Sequence, residues 1–189
     1  MKKIKQALIS VSDKKKLKSV LNILSKFKIK IISSGGTYKK IKKMKFKCSE
    51  ISSYTRSEEI LDGRVKTLHP KIYSGILNKR NNKSHQKQMF KNNYENIDLI
   101  IVNFYPLEKT LIHSNNHNKI IENIDIGGPT MVRAAAKNYG DVAVITNPKQ
   151  YDDLINELNS NKGKTSMDFR RKMSVEAFSE TAYYDSIIS

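Results

Sequence analysis

"IDLIIVNFY", residues 97–105, is the run on which the fold turns. Its apolar residues follow one another from Leu99 to Val102 without alternation. A strand with one wet face alternates apolar and polar, whereas a strand covered on both faces reads as a continuous apolar run, as in a parallel sheet between helices. Similar runs lie on either side of it: "ALISVS" (7–12), "IKIISS" (29–34), "VAVIT" (142–146) and, more weakly, residues 46–51. Helical patterns separate them. In "KKKLKSVLNILSKF", Leu17, Val20, Leu21 and Leu24 share one face, with Ser12 and Asp13 available as caps. A short basic helix is predicted over 37–43 and a polar one over roughly 83–94. Pro129 suits a first helical turn, another helix starts near Pro148, and a long terminal helix is predicted from Thr165, with Asp168 at capping-box spacing. Residues 52–77 read as irregular. Strand alternating with helix along the whole chain predicts one domain, 1–189, of class α/β: a three-layer α/β/α sandwich with a mostly parallel sheet.

The composition sets outer limits. With 189 residues, 38% of them hydrophobic, the chain is long enough to bury a real core. Thirty-five Lys and Arg against eighteen Asp and Glu give a formal net charge of +17, which fits an anionic partner. The lysines are spread over most helices instead of forming a stripe, and Lys, Ile and Asn are abundant together, as A/T-rich codons produce. Nucleic acid has no further support: zinc-finger spacing, an RNA-recognition aromatic signature and Trp are all missing. Cys48 is the single cysteine, so an intrachain disulfide or thiolate cage is excluded, and it reads as a small residue near a strand. The apolar run after "MKKIKQ" is too short for a signal peptide, and no window has the length of a membrane span. A cytoplasmic protein is expected, with neither nucleic acid nor membrane as partner.

Glycine is scarce, eight in all, yet Gly35, Gly36, Gly63, Gly127 and Gly128 fall within three short loops. In an open parallel sheet, ligands sit beyond the carboxyl ends of the strands, so these loops are the ones to read. "SSGGT", 33–37, follows a strand and opens a helix. Converging backbone N–H groups, the Ser34 and Thr37 hydroxyls and the helix N-terminus would cradle a phosphate there. The stretch matches neither the P-loop nor the dinucleotide fingerprint. "DGRVKTLHPKIYSGIL", 62–77, gathers Arg64, Lys66, Thr67 and His69 in one loop. Each has a plain structural account when taken singly. Lys66 fits a solvated charge, His69 a turn brace before Pro70, Asp125 a helix cap, Lys137 a complement to a helix C-terminus, and Tyr105 a core ring.

Taken together, "LISVSDK", "SSGGTYK", "DGRVKTLHPKIYSGIL", "VNFYPLEKT", "IENIDIGGPTMVRAAAKN" and "EAFSETAYYD" stand in the order found in the IMP cyclohydrolase domain. The chain resembles that domain from about residue 5 to its end. It is the N-terminal half of a bifunctional purine-biosynthesis enzyme that also carries AICAR transformylase. The resemblance implies a methylglyoxal-synthase-like fold and the dehydrative closure of the phosphorylated formamido carboxamide FAICAR to IMP. It further implies no metal or organic cofactor, and a homodimer. By analogy with the family, Lys66, Tyr105, Asp125 and Lys137 form the reacting cluster. Ser10, Ser12, Lys14, Ser34, Gly35, Gly36 and Thr37 hold the phosphate, and Arg64 and Thr67 reach the reacting end. Asn103 and the backbone of Asp125, Ile126, Gly127 and Gly128 read the base edge. The family's chain continues into a transformylase domain; this sequence stops at Ser189, so that domain is expected to be absent, fused elsewhere or separate. Two other readings share the fold. Methylglyoxal synthase would need a different acid–base set, and a regulatory nucleotide-binding module would keep the cradle without requiring Lys66, Asp125 and Lys137 together.

Overall fold

The computed structural model describes all 189 residues, the side chain of Lys109 excepted. Its centre is the strand pair expected from the apolar runs. β2 (Gln6–Val11) lies parallel to β5 (Leu99–Asn103), with Ala7 opposite Leu99, Leu8 opposite Ile100 and Ile9 opposite Ile101. These six side chains are buried, which for each aliphatic residue contributes about 1.5–3 kcal/mol. β3 (Lys30–Ser33) and the short β4 (Ser49–Glu50) extend the sheet beyond β2, and β6 (Ala143–Ile145) extends it beyond β5. All four pairings are parallel, in the order β4-β3-β2-β5-β6. The N-terminus pairs with the segment just before the last helix in a separate antiparallel ribbon, β1 (Lys2–Lys3) with β7 (Lys164–Thr165).

Helices cover the sheet. α1 (Leu17–Lys26) packs against α9 (Tyr151–Ser160), and α2 (Gly35–Lys43) lies on β2 and β3. α8 (Gly127–Lys137) lies on β5 and β6 and is clasped between α4 (Pro70–Leu77) and the terminal helix α10 (Met167–Ile188). α5 (Lys83–Lys91) follows α4. This is the predicted three-layer α/β/α arrangement. Among the described residues no helix is long and apolar enough to cross a membrane.

The differences from the sequence reading are local. Residues 52–77 are only partly irregular: α3 (Ile51–Thr55), a 3-10 turn at Leu61–Gly63 and the whole of α4 lie there. The residue pattern hides α4, because its start depends on a side-chain cap: His69 Nδ1 accepts the Lys71 N–H at 3.1 Å, with Pro70 at a position that needs no donor. The strand expected over 46–51 shrinks to β4. Ser12 and Asp13 do not cap α1, which starts after Lys16 in a left-handed conformation, φ 54°. The terminal helix is capped by Ser166, whose Oγ accepts from Phe169 N at 3.1 Å, because Thr165 is taken into β7. Two short helices, α6 (Leu107–His113) and α7 (His117–Glu122), follow β5.

Two residues fix how the helices sit. Arg170 is 1% exposed, and its guanidinium donates to the carbonyls of Tyr139 (2.7 Å), Thr165 (2.6 Å) and Gly140 (3.2 Å), tying α10 to the α8–β6 connection. Gly75 lets α4 meet the chain entering β5. A Cβ there would lie 2.9 Å from the Glu95 carbonyl and 3.0 Å from the Ile97 side chain. Gly75→Ala is therefore expected to destabilise the fold by about 1–3 kcal/mol, read as a lower urea midpoint with unchanged slope.

Candidate functional site

The strand order reverses direction between β2 and β5, which opens a crevice above their carboxyl ends. Ser10 lies near the end of β2, Ser12 and Lys14 follow it, and Asn103 ends β5. Asn103 does not face the crevice as a free reader of a base edge. Its Oδ1 accepts from Ser12 N (2.7 Å), Asp13 N (2.9 Å) and the Ser12 hydroxyl (2.9 Å), and its Nδ2 donates to the Asp13 carbonyl (2.9 Å). The amide shapes the β2–α1 turn. The Lys14 ammonium bends back to the Ser12 carbonyl at 3.2 Å.

The 33–37 turn joins β3 to α2. Thr37 Oγ1 accepts from Val11 N (3.0 Å) and donates to the Val11 carbonyl (2.9 Å), while Ser33 Oγ donates to the Ile9 carbonyl (2.6 Å). The Thr37 hydroxyl thus pins α2 to β2, and only its backbone N–H is left for a ligand. Ser34 precedes the helix in extended conformation and its side chain makes no capping bond. Gly35 is left-handed, φ 52°. Gly36 has no such reason to be glycine: a Cβ there would meet nothing within 4 Å. Open space over a helix N-terminus leaves room for an anion on the exposed N–H groups.

The 56–69 loop covers this turn. The Lys66 ammonium stands 3.5 Å from where a Gly35 Cβ would lie, and 3.6 Å from a Glu59 carboxylate oxygen. Arg64 pairs with Glu122 at the end of α7. Thr67 is buried against Gly127, where a Cβ would come within 2.4 Å of its hydroxyl. His69 takes the brace role, as the α4 cap.

Asp125 lies across from this loop. Its N–H donates to Tyr184 Oη on α10 at 2.9 Å, and its Oδ1 accepts the Gly128 N–H at 2.8 Å. The Tyr105 backbone N–H also serves the carboxylate, and Lys66 attracts it electrostatically. Burial outweighs these three and pushes the carboxyl above its usual range. Gly128 has to be glycine, since a Cβ would sit 2.4 Å from Asp125 Oδ2. The Tyr105 ring and Ile126 are exposed, at 57% and 58%, on the rim.

Lys66, Asp125, Thr67, Gly127, Gly128 and the 34–37 turn are therefore brought together, with Tyr105 joining through its backbone. Lys137 is not. It is the last residue of α8, exposed, and about 15 Å of helical rise separates it from Gly127. The sequence reading gave no role to four residues that the geometry brings in. Glu59 and Glu122 pair with Lys66 and Arg64 of the loop, and Tyr184 anchors Asp125. Tyr73 carries a buried hydroxyl beside Thr130 and within electrostatic reach of Asp125. The one available signal was "SEE" just before a basic loop, in a chain poor in acids.

Residues 16–130 match the family described as MGS-like domain, and residues 135–189 match the AICARFT/IMPCHase bienzyme family. The chain is 49% identical over 184 residues to the bifunctional purine biosynthesis protein PurH of Prochlorococcus marinus (strain MIT 9515). It is 46% identical over 185 residues to the protein of that name from Persephonella marina (strain DSM 14350 / EX-H1). These alignments cover 97% and 98% of this chain but 35% and 36% of the relatives, so the chain spans about a third of their length. Among solved structures, one titled "Crystal structure of ForH" superposes with a TM-score of 0.86 at 27% identity, covering 98% of this chain and 97% of that one.

Proposed function

The chain belongs to the MGS-like domain family, and from the AICARFT/IMPCHase match and the PurH relatives we propose that it is an IMP cyclohydrolase, closing FAICAR to IMP with loss of water in the last step of purine synthesis. One observation carries the reading: the Lys66 ammonium lies over the Gly35 turn and within electrostatic reach of the buried Asp125 carboxylate. A phosphate on the 34–37 backbone and a reacting end beside Asp125 are then served by one crevice.

The chemistry follows from what each group can do. The carboxamide nitrogen attacks the formyl carbon, and Asp125 accepts one of its protons. A carboxylate raised above its usual range is a stronger base than an ordinary one. Negative charge builds on the formyl oxygen, and Lys66 stabilises it and supplies a proton. The oxygen leaves as water, taking the second proton as the formamido N–H is lost and the C=N bond forms. Amide nitrogen is a poor nucleophile, so holding it against the formyl carbon carries much of the rate. Arg64 and the Ser34, Gly36 and Thr37 N–H groups bind the substrate. The reading places the protein in the cytoplasm with FAICAR and IMP as ligands. It also includes a homodimer, supported by the exposed apolar side chains of Ile112 on α6 and Val175, Phe178 and Tyr183 on α10. Sedimentation checks that part.

Mixing the protein with FAICAR and following the hypoxanthine chromophore, with chelator as a control, tests the activity. Turnover unaffected by chelator is expected; folded protein without turnover would leave a nucleotide-binding module. Gly36→Ala tests the cradle separately. It is expected to fold like the parent, since nothing meets the added methyl, yet to weaken IMP binding by about tenfold, one hydrogen bond to a charged group being worth about 1.5 kcal/mol or more. Calorimetric titration with IMP reads that loss.

A further inference from the structure

We propose that Glu59 is a positioning residue of this site: its carboxylate holds the Lys66 ammonium over the Gly35 turn before substrate enters and releases it when the anionic substrate binds. The inference rests on the phosphate reading of the 34–37 turn and adds to it the internal group with which the phosphate exchanges.

Three observations converge on it. Glu59 Oε1 is 3.6 Å from Lys66 Nζ, and that ammonium stands over Gly35, so a carboxylate already lies beside the cation at the mouth of the cradle. Ser34, Gly35, Glu59 and Lys66 line one small cleft. The Glu59 carboxylate is also seated against the backbone of Gly63, where a Cβ would fall 2.1 Å from its oxygen. Gly63 is left-handed, φ 86°, as are Leu61 and Asp62 before it and Arg56 at the start of the segment. The backbone is thus bent, at some conformational cost for the non-glycine residues, into the path that presents Glu59 to Lys66.

The strengths of the two interactions set the direction of exchange. The pair is partly solvated, with side chains 33% and 50% exposed, and such pairs are weak. A dianionic phosphate that gathers several N–H donors at a helix N-terminus together with Lys66 is held far more strongly. Arg64 repeats the arrangement on Glu122, so Lys66 and Arg64 each reach the substrate by leaving a carboxylate of their own.

Removing the competing carboxylate should therefore tighten the site. Glu59→Gln is expected to bind IMP and inorganic phosphate roughly two- to fivefold more tightly in calorimetry, the worth of one exposed ion pair. KM for FAICAR should fall in step while kcat stays within about twofold. Glu59→Asp should bind between the two. Glu58→Gln, which alters a neighbouring carboxylate of the same cleft, should change nothing. In a Lys66→Met background the gain should vanish, since the two side chains then form a coupled pair. Unchanged or weaker binding by Glu59→Gln, or a gain that survives Lys66→Met, overturns the inference. Wild-type protein that binds neither IMP nor phosphate overturns the phosphate reading itself, a separate result.

Discussion

Asp125→Asn is expected to lower the rate of FAICAR closure by about two to four orders of magnitude, the range typical of a lost general base, with no loss of stability. Asparagine keeps the shape of the side chain. Its oxygen can still accept the Gly128 N–H that Asp125 Oδ1 takes at 2.8 Å, and asparagine caps helices as well as aspartate does. The loop around it stays anchored through the Asp125 backbone bond to Tyr184. What the variant lacks is a site for the proton. The stability side follows from linkage. A carboxyl whose folded pKa is raised binds its proton more tightly in the folded state, so its contribution is present at low pH and lost as pH rises through that folded value. The charged carboxylate is therefore a liability at neutral pH, and the uncharged amide should leave the urea midpoint equal or higher. Wild-type activity should fall as the medium is acidified through a pKa above the ordinary carboxylate range, and that acid limb should disappear in the residual activity of Asp125→Asn. A variant within tenfold of wild type would remove Asp125 as the base.

The parts of this molecule that were legible in the sequence are those whose cause is local in the chain. Leu99 to Val102 cannot be half wet, so β5 had to be central, and Ile9 and Ile145 are found on its two flanks. Gly35 and Gly36 stand out because glycine is rare here. What escaped notice depends on distant partners. Asn103 was expected, by analogy with the family, to read the base edge; only the fold shows its amide bonded to Ser12 and Asp13, some ninety residues away. Thr37 looked like a phosphate ligand, and its hydroxyl is taken by Val11. Lys137 belonged to the right motif, but a helix fixes distance along its axis, and ten residues of rise separate it from Gly127. In the other direction, Tyr184 was visible only as part of "AYYD", whereas the folded chain uses its hydroxyl to hold the Asp125 backbone. Motif order brought the site into view, while the division of labour among its hydroxyls and amides is a property of the tertiary structure.

Lys66→Met is the second substitution expected to act strongly, with a fall in kcat of about a hundred- to a thousandfold, the effect of removing one group aimed at developing negative charge. Methionine preserves most of the stem that packs beneath the loop and deletes only the ammonium. The position of that ammonium also predicts a second symptom. Because it lies over the Gly35 turn as well as near Asp125, the variant should bind IMP more weakly. A lysine acting only on the reacting atoms would leave product affinity intact. Arg64→Met supplies the contrast: its guanidinium is exposed and held by Glu122, away from Asp125, so its loss should raise KM with a much smaller change in kcat. Lys66→Arg should recover part of the binding and little of the rate, because a planar fork cannot place a point charge where the compact ammonium does. The joint loss of rate and affinity at Lys66, set against loss of affinity alone at Arg64, follows from where the loop sets the two cations. Equal effects at the two positions would mean that the net charge of the loop matters and the placement of Lys66 does not.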